Sequence, residues 1–305
     1  MTSPITASAP GSIMLMGEHS VVYGYPAIVC AIEQRVTVRV SRLEQREVFI
    51  RSEIAKDFSA PLDGFKDEGP LRFVLSAVKH FRPFLAQGVN IEINSDIDPK
   101  LGLGSSAAVT VAALHGLTRL SQVDLSPADL HATALKIIRH HQGRGSGADL
   151  AASVYGGVLA YSIDQAENKA EIRDLPFPPQ LSLRYAGYKT PTAEVLSKIA
   201  VDMAKEPSKF TQLYANMGRC TQTAIEAAES LDWSEFAKNM IEYQGYMTDI
   251  GVSDDTLDSI IKSAGSALAS KISGSGLGDC VVAMGNLPDG FTPVDIAKLG
   301  VLIHE

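Results

Sequence analysis

Asp98-Pro99-Lys100-Leu101-Gly102-Leu103-Gly104-Ser105-Ser106-Ala107-Ala108 is the stretch on which the reading of this chain turns. Its two glycines let the backbone turn tightly and come close to a ligand. Ser105 and Ser106 head an apolar run, Ala107, Ala108, Val109, Val111, Ala112, Ala113, Leu114 and Leu117. That run predicts a helix too apolar to face water, and therefore buried. A glycine loop feeding a helix start presents unpaired N–H groups and the positive end of the helix dipole, both of which favour an anion such as phosphate. The two hydroxyls add donors for a phosphate oxygen or a magnesium ion. A glycine turn that merely caps a core helix has the same local pattern, so the surrounding sequence has to decide. No Gly-Lys-Ser/Thr closes the loop and no third glycine follows at dinucleotide spacing, which sets aside the two commonest phosphate loops.

The chain has 305 residues, 45% of them hydrophobic, enough for a full core in two domains or one large one. Its net charge is -8 with no basic block, a poor match to nucleic acid or to an anionic membrane surface. An anionic substrate must then be held by local positive groups. Cys30, Cys220 and Cys280 are odd in number, far apart and in apolar settings, which predicts buried free thiols rather than a disulfide frame or a zinc site. The N-terminus lacks a basic-then-apolar leader pattern and no apolar run reaches the length of a membrane span, so a cytoplasmic location is expected.

Taken in order, residues 5–9, 12–16 and 36–40 read as strands of a sheet with one wet face. Between them Gly17-Glu18-His19 falls where a strand gives way to a loop, a place suited either to a solvated surface pair or to functional side chains. Residues 44–70 read as a hairpin and loop. Leu71, Val74, Leu75, Val78 and Phe81 have helical spacing that stops near Pro83, and 89–94 is a strand leading to the glycine loop. Ser126-Pro127-Ala128-Asp129 is a capped helix start. The neighbouring His140 and His141 find no acid or cysteine at ligand spacing, so no metal site is expected there. Asp149 stands alone as an acid at an apolar helix start, after Gly143, Gly145 and Gly147. It reads equally as a dipole-stabilising acid or as a chemical group. A strand is expected at 158–162, and the prolines at 176, 178 and 179 mark a domain boundary. Lys189, in a Gly-Tyr-Lys-Thr-Pro-Thr loop, reads as a solvated lysine or a phosphate ligand. Helices are expected over 208–230, 233–250 and 254–269, and a glycine-rich turn from Ser273 to Cys280 before a strand at 281–284. No internal repeat is present.

The run GLGSSAA after Pro99 closely resembles the ATP loop of the GHMP kinases. Three further stretches match that superfamily in the same order, so the resemblance spans nearly the whole chain. The form GEHSVVYGYPAI is most similar to the mevalonate kinases, and SGADLAASVYGG resembles the segment that carries the catalytic Asp in mevalonate and phosphomevalonate kinases alike. The last stretch, SGSGLGDC, is nearer to the phosphomevalonate kinases. The resemblance implies an α+β, two-domain fold, with an N-terminal domain (1–175) like domain 2 of ribosomal protein S5 and a ferredoxin-like C-terminal domain (176–305). It implies phosphoryl transfer from Mg-ATP to a small-molecule hydroxyl, with no nucleic-acid or membrane partner and a homodimer as the candidate assembly. Mevalonate is the expected acceptor. Phosphomevalonate, a sugar, or a nucleotide sensor without turnover remain open. ATP contacts are expected at Lys100, Gly102, Leu103, Gly104, Ser105, Ser106 and Ala107, with magnesium at Ser106. Substrate contacts are expected at Glu18, His19, Gly147, Thr192, Gly274, Ser275 and Gly276, and Asp149 is the expected catalytic acid-base group.

Two departures stand out. Mevalonate kinases usually carry Lys after Pro-Gly, where this chain has Ser12, and a magnesium-binding Glu where it has Ile138. A serine supplies no positive charge to a transferring phosphoryl group. Arg144, flanked by glycines and five residues before Asp149, is the expected replacement, with Lys271 and Lys189 behind it.

Overall fold

The first apolar stretches do not form two short strands. They form one, β1 (Ile5–Met16), and it is buried from Ala7 onward. The expected wet face is absent because the strand lies inside its sheet with helices on one side and the second half of the chain on the other. The computed structural model describes residues 3–98, 101–164 and 169–304. After β1 come a 3-10 turn (Ser20–Tyr23), β2 (Ala27–Leu43), β3 (Glu47–Ser52), β4 (Ala55–Pro61), α1 (Arg72–Phe81) and β5 (Gly88–Ser95). Then follow α2 (Ser105–Ser121), α3 (Pro127–Gln142), α4 (Ala148–Tyr155), β6 (Val158–Asp164) and β7 (Lys169–Leu175). The remainder comprises β8 (Leu181–Lys189), α5 (Thr192–Lys205), α6 (Pro207–Glu229), α7 (Trp233–Asp249), α8 (Asp255–Ser263), β9 (Ala269–Ser273), β10 (Gly278–Met284), β11 (Thr292–Val294) and β12 (Leu302–His304).

Two sheets result. The first has eight strands, ordered β12-β1-β2-β5-β3-β4, with β6 and β7 continuing from the early part of β2. The second has four antiparallel strands, β11-β8-β10-β9. α2 and α4 pack on β1 and β2, with α1 and α3 against α2. In β2 the alternation of Val36, Val38 and Val40 with the exposed Arg39 matches the period of a half-wet strand. The fold is the α+β, two-domain architecture expected from the sequence. We propose the division at 175/176, although β12 returns to pair antiparallel with β1, so the segment 176–305 gives its last strand to the first sheet.

Local signals explain the helix ends that frame the site. Ser126 caps α3 by accepting from the Asp129 N–H at 3.1 Å, and Gly143 ends it in the left-handed region. The helix expected over 254–269 stops at Ser263, and the chain turns into β9 at Ala269. Register shifts between β1 and β2 at Pro10/Gly11, so that two successive residues of β1 pair with Arg35 and Ile32. Past this irregularity the Ser12 N–H donates to Leu103 O at 3.1 Å, seating the glycine loop on β1.

Candidate active site

The glycine loop is closed against the protein on one side and open on the other. Gly102 and Gly104 both have positive φ, 72° and 68°. A Cβ on Gly104 would lie 2.1 Å from Ser12 Oγ, and one on Gly102 would lie 2.5 Å from Asp279 Oδ1. The loop thus needs glycine for close approach to its own supports, as well as for its conformation. Leu103 and Ala107 are buried, Ala107 in the first turn of α2. Ser105 and Ser106 line a cavity of about 570 Å³, walled by Ile54, Leu71, Phe73 and Val109. Apolar walls beside the start of a 17-residue helix suit a flat base attached to phosphates. Lys100 lies outside the described residues.

Behind Gly104, the Ser12 hydroxyl donates to Asp149 Oδ1 at 2.8 Å. Asp149 stands in the first turn of α4, after Gly147 in the left-handed region. Burial pushes its carboxyl above the usual carboxylate range; the Ser12 hydrogen bond and the Lys189 charge oppose that, and Asp279 adds to it. Gly147 is held from within: His131 Nε2 contacts its carbonyl at 2.9 Å, and a Cβ there would meet Tyr161 Oη at 2.6 Å. The Tyr161 hydroxyl also donates to Ser146 O at 2.6 Å, so two side chains that the sequence did not mark set the approach to Asp149.

Behind Gly102, Lys189 Nζ lies 3.1 Å from Asp279 Oδ1. Lys189 ends β8 opposite Gly278 in β10, which is why residues ninety apart meet. Asp279 has a φ of 64°, a region that costs a non-glycine residue strain. Ser275 Oγ reaches its other oxygen at 3.4 Å, and a Cβ on Gly274 would lie 2.8 Å from that oxygen. Gly276 turns at a φ of 80° beneath Val252 O.

The third group joins the two halves of the chain. Glu18 is paired with Lys271 of β9, and both side chains are buried. Lys271 Nζ also donates to Ile272 O and lies 5.5 Å from the centre of the Tyr243 ring. Burial pushes the Glu18 carboxyl up and the Lys271 ammonium down, while their mutual contact opposes both. Glu18 Oε2 has no partner among the described residues. His19, at a φ of 62°, contacts Ser275 O through Nε2 at 2.9 Å; a carbonyl only accepts, so Nε2 carries the proton. Burial, with Lys271 adding to it, lowers the His19 pKa to about 4, so the ring is neutral at pH 7.

Some expected residues fall elsewhere. Arg144 is exposed, and the shifted group its charge reaches is Tyr214 on α6; Lys189 and Asp279 are the charged groups that act on Asp149. Thr192 opens α5 in solvent, whereas Thr190 Oγ1 donates to Leu277 O at 2.6 Å. Ile138 is buried under Gly145, its Cγ2 3.1 Å from where a Cβ would stand, so this departure is absorbed by apolar packing. His140 and His141 do meet an acid: their Nε2 atoms lie 3.8 and 3.9 Å from Oδ2 of Asp67, which is 73 positions before His140 and invisible to ligand spacing. That carboxylate already holds Lys79 at 3.0 Å and Ser76 at 2.6 Å.

A nucleotide-sized cavity, a glycine loop at a helix start and a shielded carboxylate tied to that loop through Ser12 describe a phosphotransferase. Models of the GHMP kinase N-terminal and C-terminal domains match residues 72–157 and 224–290, and the galactokinase galactose-binding signature matches 1–42. The chain belongs to the GHMP kinases, enzymes that use ATP as co-substrate. Within them it is similar to mevalonate kinases: 31% identical to that of Thermococcus sibiricus, covering 92% of this chain and 89% of the relative. It is 32% identical to that of Aeropyrum pernix, covering 91% and 87%. The Lin0012 protein of Listeria innocua has the same fold, with a TM-score of 0.89 over 99% of this chain and 100% of that one, at 23% identity. No helix among the described residues is long and apolar enough to cross a membrane.

Proposed function

We propose that this chain transfers the γ-phosphoryl group of ATP to the hydroxyl of mevalonate, with Asp149 accepting the hydroxyl proton. The observation that carries the mechanism is Asp149 itself, shielded beside the glycine loop with its Oδ1 fixed by Ser12. A carboxyl held above its ordinary range accepts a proton more readily than an exposed one. As the acceptor oxygen bonds to the γ-phosphorus, its proton passes to Asp149, the bond to the β–γ bridging oxygen breaks, and ADP leaves. Glu18 and His19, the expected acceptor contacts, are both buried, Glu18 paired with Lys271 and His19 donating to Ser275 O. The mevalonate assignment is supported by relatives that align with over nine-tenths of the chain.

Magnesium, when bound, neutralises charge on the phosphate oxygens. The Ser106 hydroxyl is a hard oxygen donor at the cavity, which fits a magnesium that takes most of its shell from ATP and water. With Ile138 buried, α3 supplies no carboxylate from that position.

The test is ADP release with mevalonate, phosphomevalonate and galactose, repeated with Asp149→Asn. Mevalonate is expected to turn over, and Asp149→Asn to lower kcat by about 10²–10⁴ with nucleotide affinity little changed. Turnover of galactose or phosphomevalonate alone overturns the acceptor assignment, and a variant that keeps most of its rate overturns the role of Asp149.

A further inference from the structure

Ser12, against the glycine loop, carries no positive charge, yet a transferring phosphoryl group spreads negative charge over its oxygens and needs a cation in a shielded site. Three of the cations near the motifs lie among the described residues. Lys271 is sealed in its pair with Glu18, and Arg144, in the loop ahead of α4, directs its charge at Tyr214 and not at Asp149. The third is Lys189. We propose that Lys189, held by Asp279, is the cation that meets the transferring phosphoryl group; this rests on the reading of the site as a kinase.

The geometry is that of a built position. Gly102 and Gly104 each press against one support of the loop, Asp279 behind the first and Ser12 behind the second. Asp149 is tied to Ser12 and Lys189 to Asp279, so the proton acceptor and the cation reach the same loop from neighbouring points. Lys189 Nζ is paired with Asp279 Oδ1 by charge at 3.1 Å without hydrogen-bond alignment, so its three N–H donors are not spent on that oxygen, and the lysine side chain is 31% exposed. Asp279 holds its place at positive φ with Ser275 on its second oxygen. Strain of this kind persists where the surroundings fix it, and it clusters at functional sites. Lys189 also acts on Asp149: its charge favours the ionised carboxylate, together with the Ser12 hydroxyl and against Asp279.

The experiment compares the parent with Lys189→Met, Lys189→Arg and Arg144→Ala. Binding of Mg-ATP and Mg-ADP is measured by calorimetry, and kcat with mevalonate as a function of pH. Lys189→Met is expected to lower kcat by roughly 10² and to erase about tenfold of the preference for ATP over ADP, since only ATP carries the γ-phosphoryl group. Its acid limb should move to higher pH, because Asp149 loses a charge that holds its carboxyl down. Lys189→Arg should recover part of the rate, and Arg144→Ala should stay within about threefold of the parent. The proposal is overturned if Lys189→Met keeps the parent's kcat, or keeps its ATP preference, or if Arg144→Ala loses as much. Should the parent fail to phosphorylate mevalonate, the acceptor assignment falls while the nucleotide preference still decides the role of Lys189.

Discussion

Replacing Lys271 by Met leaves the Glu18 carboxyl buried with only backbone support around Glu18 and Gly274. Removing one partner of a buried ion pair typically costs about 3–5 kcal/mol. Here the loss has a ceiling that depends on pH. Stranded without its cation, the carboxyl escapes by taking up a proton, at about 1.4 kcal/mol for each unit between its ordinary pKa and the buffer. Its ordinary value is 4.5, so the cost is about 3 kcal/mol at pH 7 and below about 1 kcal/mol at pH 5. The sign follows from the raised folded-state pKa: the deficit is small below pH 4.5 and grows as pH rises. Urea denaturation of the whole chain at pH 5 and pH 7 measures it. In a Glu18→Gln background no charge is stranded, so Lys271→Met should cost about 2 kcal/mol less at pH 7. A deficit that is the same at both pH values, or the same in both backgrounds, refutes the argument. The pair joins β9 to the loop after β1, and Ser273 Oγ donates to Met14 O at 3.0 Å beside it. The predicted loss therefore reports on the seam between the two halves.

Gly104→Ala, which its place in a phosphate loop marks as a ligand-binding change, should cost the apo protein at least about 2 kcal/mol, because its Cβ collides with Ser12 Oγ and its φ is positive. A parental melting temperature without nucleotide would show that Ser12 yields freely. His19 is held neutral with a pKa of about 4 against 6.5 unfolded, so it contributes stability that is complete above pH 6.5 and lost as pH falls through 4, about 3 kcal/mol in all. The stability-against-pH slope of His19→Gln should be flatter than the parent's over that window; equal slopes would show that the ring is not buried neutral.

Much of this architecture was legible in the residues because it is written at short range. A glycine loop before an apolar run needs only its own neighbours to become a helix start with unpaired N–H groups. Ser126, Pro127 and Gly143 bound α3 by local hydrogen bonding and φ preference alone. Glu18, His19 and Asp149 could be singled out as an acid, a base and an isolated acid at element ends, and Ser12 as the place where a positive charge is missing. Which of the candidate cations, Arg144, Lys271 or Lys189, lies nearest Asp149 was not legible. Lys189 and Asp279 meet because β8 and β10 pair, and strand pairing at a separation of ninety residues is set by the tertiary fold. Asp67 reaches His140 and His141 for the same reason, as α1 and α3 pack together. Nor does alternation within β1 reveal that both of its faces are covered, since burial depends on what is laid against a strand. The sequence by itself determined the family, and it singled out the glycine loop and Asp149 as candidates for phosphate binding and proton transfer. The tertiary structure alone decided which cation stands beside them, because electrostatics acts through space and a one-dimensional chain does not display its distances.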